Sequence, residues 1–303
     1  MGKIAFLFAG QGSQKPGMGK SLFEYSRMAA DVMEMADAVR PGTSAQCWEG
    51  SQEELNRTVN TQPCLFCADL MAALALREQG VKPDAVAGFS LGEIPALAFA
   101  GALSHEDAFR FVARRGEAMD ACAASNPGAM FAVVKLDAAR IEEICASLSD
   151  CWPVNYNSAA QTVVACAKEQ AGALSAAVKA AGGRAMPLAV SGAFHSPFMS
   201  EAARTLEAEF AGLAFREPAI PVYANRTAKA YEGLSQLFEQ VNHPVLWQKT
   251  IENMAETGID TFIEVGPGKT LSALVVRILS DAKVYRVEDA GTLQSTLEAL
   301  RNA

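Results

Sequence analysis

The segment Gly88-Phe89-Ser90-Leu91-Gly92 constrains this chain more than any other. It joins the short apolar run Ala85-Val86-Ala87-Gly88-Phe89 to Glu93–Ala100, whose Pro95 falls in a first helical turn, where proline is tolerated. An apolar run halted by glycine and followed by an apolar helix reads as strand–turn–helix. Repeated use of that unit gives a parallel sheet with helices on its faces. The unit recurs at the start, where Lys3–Ala9 runs into Gly10-Gln11-Gly12. It recurs again where Thr261–Val265 turns through Gly266-Pro267-Gly268-Lys269 into a helix over Thr270–Leu279. Helices are also expected over Leu22–Met35 and over Cys64–Gln79, the latter stopped by Gly80.

The rhythm changes after Asn126-Pro127-Gly128. A strand over Ala129–Leu136 leads to a helix capped by Asp137 and running to Ser149. Strands over Pro153–Tyr156 and Thr162–Ala167 follow, then a helix over Glu169–Ala181 ended by Gly182-Gly183, then a strand over Arg184–Val190. This βαββαβ order is the split-βαβ pattern of ferredoxin-like domains. The expected fold class is therefore α/β. An α/β-hydrolase-like large domain with a parallel sheet and a nucleophile elbow spans 1–126 and 191–303, and an inserted ferredoxin-like small domain spans 127–190.

Several function classes are disfavoured. The 303 residues carry a net charge of -8, which argues against nucleic acid as the main partner. No apolar run approaches the length of a membrane span, and the first apolar stretch is too short for a signal peptide. The seven cysteines are scattered and odd in number, and the Cys64/Cys67 pair lies inside an apolar helical segment. They read as core residues in a reducing, cytoplasmic setting, with no metal site. There the Asn56 and Asn225 glycosylation sequons are chance matches. The Gly10 loop lacks the third glycine of a dinucleotide fingerprint, with Lys15 in its place. Gly268-Lys269-Thr270 lacks the first glycine of a phosphate loop, with Ile263 there.

Gly-x-Ser-x-Gly on a strand-to-helix turn exposes a serine hydroxyl above a sheet, beside a helix N-terminus that favours developing negative charge. Ser90 is thus the expected nucleophile, and it needs a base. Three histidines are available. His105 falls in a polar first helical turn and His243 in a loop before Pro244. His195, in Ser191-Gly192-Ala193-Phe194-His195-Ser196-Pro197, falls at the expected domain junction, where clefts form. Elimination favours His195. No orienting acid is evident, because Asp137, Glu142 and Asp150 all fall on expected small-domain helices, so a dyad oriented by a backbone carbonyl fits better. Arg114 and Arg115 ordinarily mean a solvated helix face. One of them near Ser90 would instead bind a substrate carboxylate through a two-bond fork.

Taken together, the motifs resemble malonyl-CoA:acyl carrier protein transacylases over nearly the whole chain. The resemblance rests on Gly10-Gln11-Gly12-Ser13-Gln14, Thr61-Gln62-Pro63, Gly88–Glu93, Arg115-Gly116 and Asn155-Tyr156-Asn157-Ser158. It continues through Gly192–Ser196, Gln240 ahead of Pro244-Val245-Leu246-Trp247, and Glu264–Lys269. It implies Ser90 as acyl carrier and His195 as base and then acid, with the Gln240 carbonyl orienting His195. It implies the Gln11 and Leu91 N–H groups as the oxyanion hole and Arg115, rather than Arg114, as the clamp on the malonyl carboxylate. Asn155, Asn157 and Gln161 would line the cleft, and Phe194 would crowd a branched acyl unit.

The implied reaction is ping-pong, from malonyl-CoA to the phosphopantetheine thiol of acyl carrier protein. It needs no cofactor and is expected of a monomer with no nucleic-acid or membrane partner. A free-standing acyltransferase serving a polyketide synthase has the same chemistry. A serine hydrolase or thioesterase is the more distant alternative. Phe89 departs from the family, which usually has His there, and Ala159-Ala160 and Cys166 also differ from the usual small-domain pattern.

Overall fold

The computed structural model describes residues 2–190 and 192–302. Among these residues five strands form a parallel sheet: β1 (Lys3–Phe8), β2 (Ala85–Gly88), β7 (Val222–Tyr223), β8 (Ile259–Val265) and β9 (Lys283–Val287), in the order β7-β2-β1-β8-β9. Between β2 and β7 in the chain, β3 (Gly128–Val134), β4 (Cys151–Ser158), β5 (Gln161–Ala167) and β6 (Arg184–Pro187) form an antiparallel sheet ordered β4-β5-β3-β6.

Strand periodicity explains the layers. On β1, Ile4, Phe6 and Phe8 enter one core while Ala5 and Leu7 enter another, so both faces of the parallel sheet are covered. The Thr58–Glu78, Glu93–Phe99 and His105–Ser125 helices cover the first face. The Trp247–Glu256 and Thr270–Ile278 helices cover the second. The small sheet alternates in the same way. Phe131 and Val133 pack on Ile141, Ile144, Leu174 and Val178 from its two helices, whereas Met130 and Ala132 join the main core. That shared face sets the small sheet against the large one.

Several boundaries differ from expectation. The helix expected over Leu22–Met35 is two helices, Lys20–Tyr25 and Arg27–Val39. Ser26 is extended between them and its hydroxyl accepts from the Ala29 amide, so local capping breaks the run. The helix expected from Cys64 begins at Thr58 and carries Pro63 in its second turn. It is long and apolar enough to cross a membrane, contrary to the expectation that no run is, but 94% of that stretch is packed inside the protein. Strand β6 ends at Pro187, three residues short of Val190; Ser191 lies outside the described residues.

Candidate active site

The elbow forms because its glycines admit a close approach. A Cβ on Gly88 would lie 2.0 Å from the Gly92 carbonyl oxygen, and one on Gly92 would lie 2.3 Å from the Phe8 carbonyl oxygen. The second contact presses the turn onto the end of β1, and a Cβ on Gly10, the neighbour of Gln11, would lie 2.7 Å from the Phe89 carbonyl oxygen. Between the glycines, Ser90 holds a φ of 54°. A non-glycine residue in that conformation carries about 1–3 kcal/mol of strain, which persists only where neighbours over-determine it.

Ser90 Oγ lies 2.7 Å from His195 Nε2. His195 also has a left-handed φ, 61°, and its backbone N–H donates to the Val241 carbonyl. On the far side of the ring, Nδ1 faces two carbonyl oxygens, of Gln240 at 3.0 Å and of His243 at 3.2 Å. Carbonyls only accept, so Nδ1 carries the ring proton and Nε2 presents its lone pair to the serine hydroxyl. Burial, and then the neighbouring Arg115 cation, push the imidazole down to about 4, so it is neutral at pH 7 and free to take a proton.

The two adjacent arginines part company. Arg114 pairs with Glu209 and Glu117 on the surface. Arg115 is 1% exposed, and its guanidinium donates to Gln62 Oε1 and Gln240 Oε1, each at 2.8 Å, and to Ser90 Oγ at 3.2 Å. These acceptors are all neutral, and the Arg115 Nε–H has no partner among the described residues. Burial lowers the guanidinium to about 10, which leaves it cationic at neutral pH. Nearby Glu93 partly offsets that cost, and a buried cation whose hydrogen bonds go to neutral oxygens, the Ser90 hydroxyl among them, is suited to receive a carboxylate.

Asn155, Asn157 and Gln161 project from the small sheet into a cavity of about 250 Å³, which they line with Gln11, Phe89 and Leu188. The Asn157 side-chain amide donates to Gln161 Oε1, while Asn155 Oδ1 and Asn157 Oδ1 are buried without partners among the described residues. Phe194 is buried, with its ring against Gly192. Phe89 meets Trp247 edge-on, with ring centroids 5.2 Å apart.

Some contributors escape the reading of the sequence. The Gln62 side chain, the Gln240 amide and the His243 carbonyl all touch Arg115 or His195. Asn225, a chance sequon by sequence, holds the Ser90 backbone amide. Of the acids considered for a triad, Asp137 caps its own helix, Glu142 accepts from the Tyr156 hydroxyl, and Asp150 lies in a turn before β4 rather than on a helix.

The sequence pattern of the acyl transferase domain matches residues 5–302. The chain is 36% identical over 311 residues to the malonyl CoA-acyl carrier protein transacylase of Bacillus subtilis (strain 168), covering 99% of this chain and 98% of that protein. The crystal structure of the malonyl CoA-acyl carrier protein transacylase from Clostridium perfringens superposes with a TM-score of 0.96 at 35% identity, covering 99% of this chain and 98% of that one. A malonyl-transacylase in complex with its type II PKS acyl-carrier protein superposes with a TM-score of 0.93, also at 35% identity, covering 98% and 99%.

Proposed function

This chain belongs to the malonyl-CoA:acyl carrier protein transacylases of the acyl transferase family, and from that premise we propose how its residues transfer a malonyl group from malonyl-CoA to the phosphopantetheine thiol of acyl carrier protein. The observation that carries the reading is Arg115, a buried cation bonded to Ser90 Oγ and otherwise only to neutral oxygens. It supports a substrate that bears a free carboxylate beside its reacting acyl carbon.

In the first half-reaction His195 Nε2 takes the Ser90 proton as Oγ attacks the thioester carbonyl. The Leu91 and Gln11 N–H groups receive the negative charge that develops on the carbonyl oxygen. Collapse breaks the C–S bond, and CoA leaves as a thiol with the proton from His195. In the second half-reaction His195 takes the carrier thiol's proton, the thiolate attacks the ester, and Ser90 Oγ recovers the proton. The Gln240 and His243 carbonyls orient His195. Asn155, Asn157, Gln161 and Phe89 line the approach, and Phe194 disfavours a branched acyl unit. Each step moves protons and one acyl group, so the chemistry needs no cofactor.

The small unit over 127–190 supplies one wall of the cleft and the large unit over 1–126 and 191–303 the other. The enzyme works as a cytoplasmic monomer that supplies fatty-acid synthesis. A second reading, loading of a polyketide carrier, is favoured by the likeness to the transacylase bound to a type II PKS carrier. Incubation with radiolabelled malonyl-CoA and each carrier in turn tests both: label passes through Ser90 to the preferred carrier. Label found only as free malonate would overturn transfer in favour of hydrolysis.

A further inference from the structure

The strained Ser90 backbone is held on both sides by side chains from distant parts of the chain. Gln240 Nε2 donates to the Ser90 carbonyl at 2.6 Å. Asn225 Oδ1 accepts from the Ser90 amide at 2.7 Å, while Asn225 Nδ2 donates to the Gly88 carbonyl at 2.6 Å. One primary amide thus closes a ring across the elbow.

Sheet topology puts it there. Strand β7 pairs in parallel with β2, with Val222 opposite Val86 and Tyr223 opposite Ala87, so the chain just beyond Tyr223 runs beside Gly88. Asn225 is in turn anchored. Its backbone N–H donates to Glu93 Oε2, whose partner oxygen Oε1 accepts from the Tyr231 hydroxyl, both at 2.6 Å. Asn225 and Glu93 are each 1% exposed. A buried carboxylate is costly unless it is hydrogen-bonded, and here both of its oxygens are used to fix the residue that fixes the elbow.

We infer that Asn225 is a positioning residue for acyl transfer: its amide clip on Gly88 and Ser90, backed by Glu93 and Tyr231, aims Ser90 Oγ at His195. The role rests on the malonyl-transfer reading for its physiological substrate but not for its geometry. Because the Ser90 amide is consumed by the clip, the oxyanion donors are left to Leu91 and Gln11. A near-attack geometry lost by about 1 Å lowers a rate about 10²-fold without changing what the substrate's remote groups touch. Asn225 therefore governs kcat, while Arg115 governs recognition of the carboxylate.

The test is the first-order rate constant of Ser90 modification, measured with malonyl-CoA and, separately, with phenylmethanesulfonyl fluoride, which needs no carboxylate site. For Asn225→Ala the expected result is a fall of about 10²-fold in both rate constants with KM for malonyl-CoA nearly unchanged. For Tyr231→Phe, which loses one hydrogen bond to the anchor, the expected fall is about two- to tenfold. The fraction of enzyme labelled at completion reports folded protein, so a merely structural role would lower that fraction and leave the rate constants alone. Unchanged rate constants in Asn225→Ala would overturn the inference. Should Asn225→Ala not fold, unchanged rate constants in Tyr231→Phe would do the same. Wild-type enzyme that reacts with the sulfonyl fluoride but not with malonyl-CoA would overturn the proposed substrate instead, and the sulfonyl fluoride series would still decide the role of Asn225.

Discussion

Arg115 donates to Ser90 Oγ at 3.2 Å, so the side chain proposed to receive the substrate carboxylate also touches the proposed nucleophile. Removing it is expected to impair transfer of malonyl far more than transfer of acetyl. For Arg115→Ala, the ratio of kcat/KM for malonyl-CoA over acetyl-CoA should fall by about 10²-fold or more, the scale of a charge-assisted bidentate contact. Arg115→Lys should restore little of it, because a single ammonium cannot reproduce the fork that spans Gln62, Gln240 and the ligand. An unchanged ratio in competition assays would remove the clamp role.

Acid stability should show two opposed titrations. Burial and Arg115 lower His195 from its ordinary 6.5 to about 4. The unfolded chain therefore binds the extra proton between those values, and stability falls as pH drops through that window. Burial raises Glu93 from 4.5 to about 7, against the hydrogen bonds from Tyr231 and Asn225 that favour its charge. The folded chain binds that proton, and stability falls as pH rises from 4.5 to 7. The two slopes cancel between about 4.5 and 6.5. Glu93→Gln should unmask the histidine, giving stability that rises with pH there by up to about 1.4 kcal/mol per unit. Denaturant melts at several pH values measure it, and parallel wild-type and variant curves would rule it out.

Asp69 lies fully buried on the Thr58–Glu78 helix, and among the described residues neither of its oxygens has a hydrogen-bond partner. Burial and nearby Glu264 hold its carboxyl well above the usual range, so the group contributes stability at low pH that is lost as pH rises. Asp69→Asn should raise Tm more at pH 8 than at pH 5, with a gain on the order of 1 kcal/mol or more at the higher pH. An equal Tm change at both values would show that the carboxyl does not titrate as inferred.

Phe89 meets the edge of Trp247, whose buried indole N–H lacks a partner among the described residues. Phe89→Leu is expected to cost about 1 kcal/mol from the lost aromatic contact. Phe89→His should cost less, since an imidazole nitrogen can accept from that indole. Because the ring lines the cavity rather than touching Ser90 Oγ, both variants should alter KM for malonyl-CoA more than kcat. Steady-state kinetics beside thermal melts separate the two effects.

The elbow is legible in the sequence because its demands are local: Gly88 and Gly92 are required by atoms within a few residues or on the next strand. The small sheet is legible because strand and helix periods alternate cleanly from Gly128 to Pro187. Strand β7 is not, since two residues carry no period. The Ser26 break is hidden because serine is also ordinary within a helix. The supporting groups around Ser90 are hidden for a different reason. Asn225 lies 135 residues from Ser90, and His243 contributes only a carbonyl that any residue would possess. Side-chain identity says nothing about a backbone acceptor.

The imidazole of His195 is steadied by two peptide dipoles, with a cation rather than an anion at its other side. An arrangement of this kind orients the ring well but gives an imidazolium little electrostatic shelter. The gain is a wide working range. The lone pair on Nε2 stays free through mildly acidic pH, where a histidine paired with a carboxylate, held protonated by its anion, would already be silent.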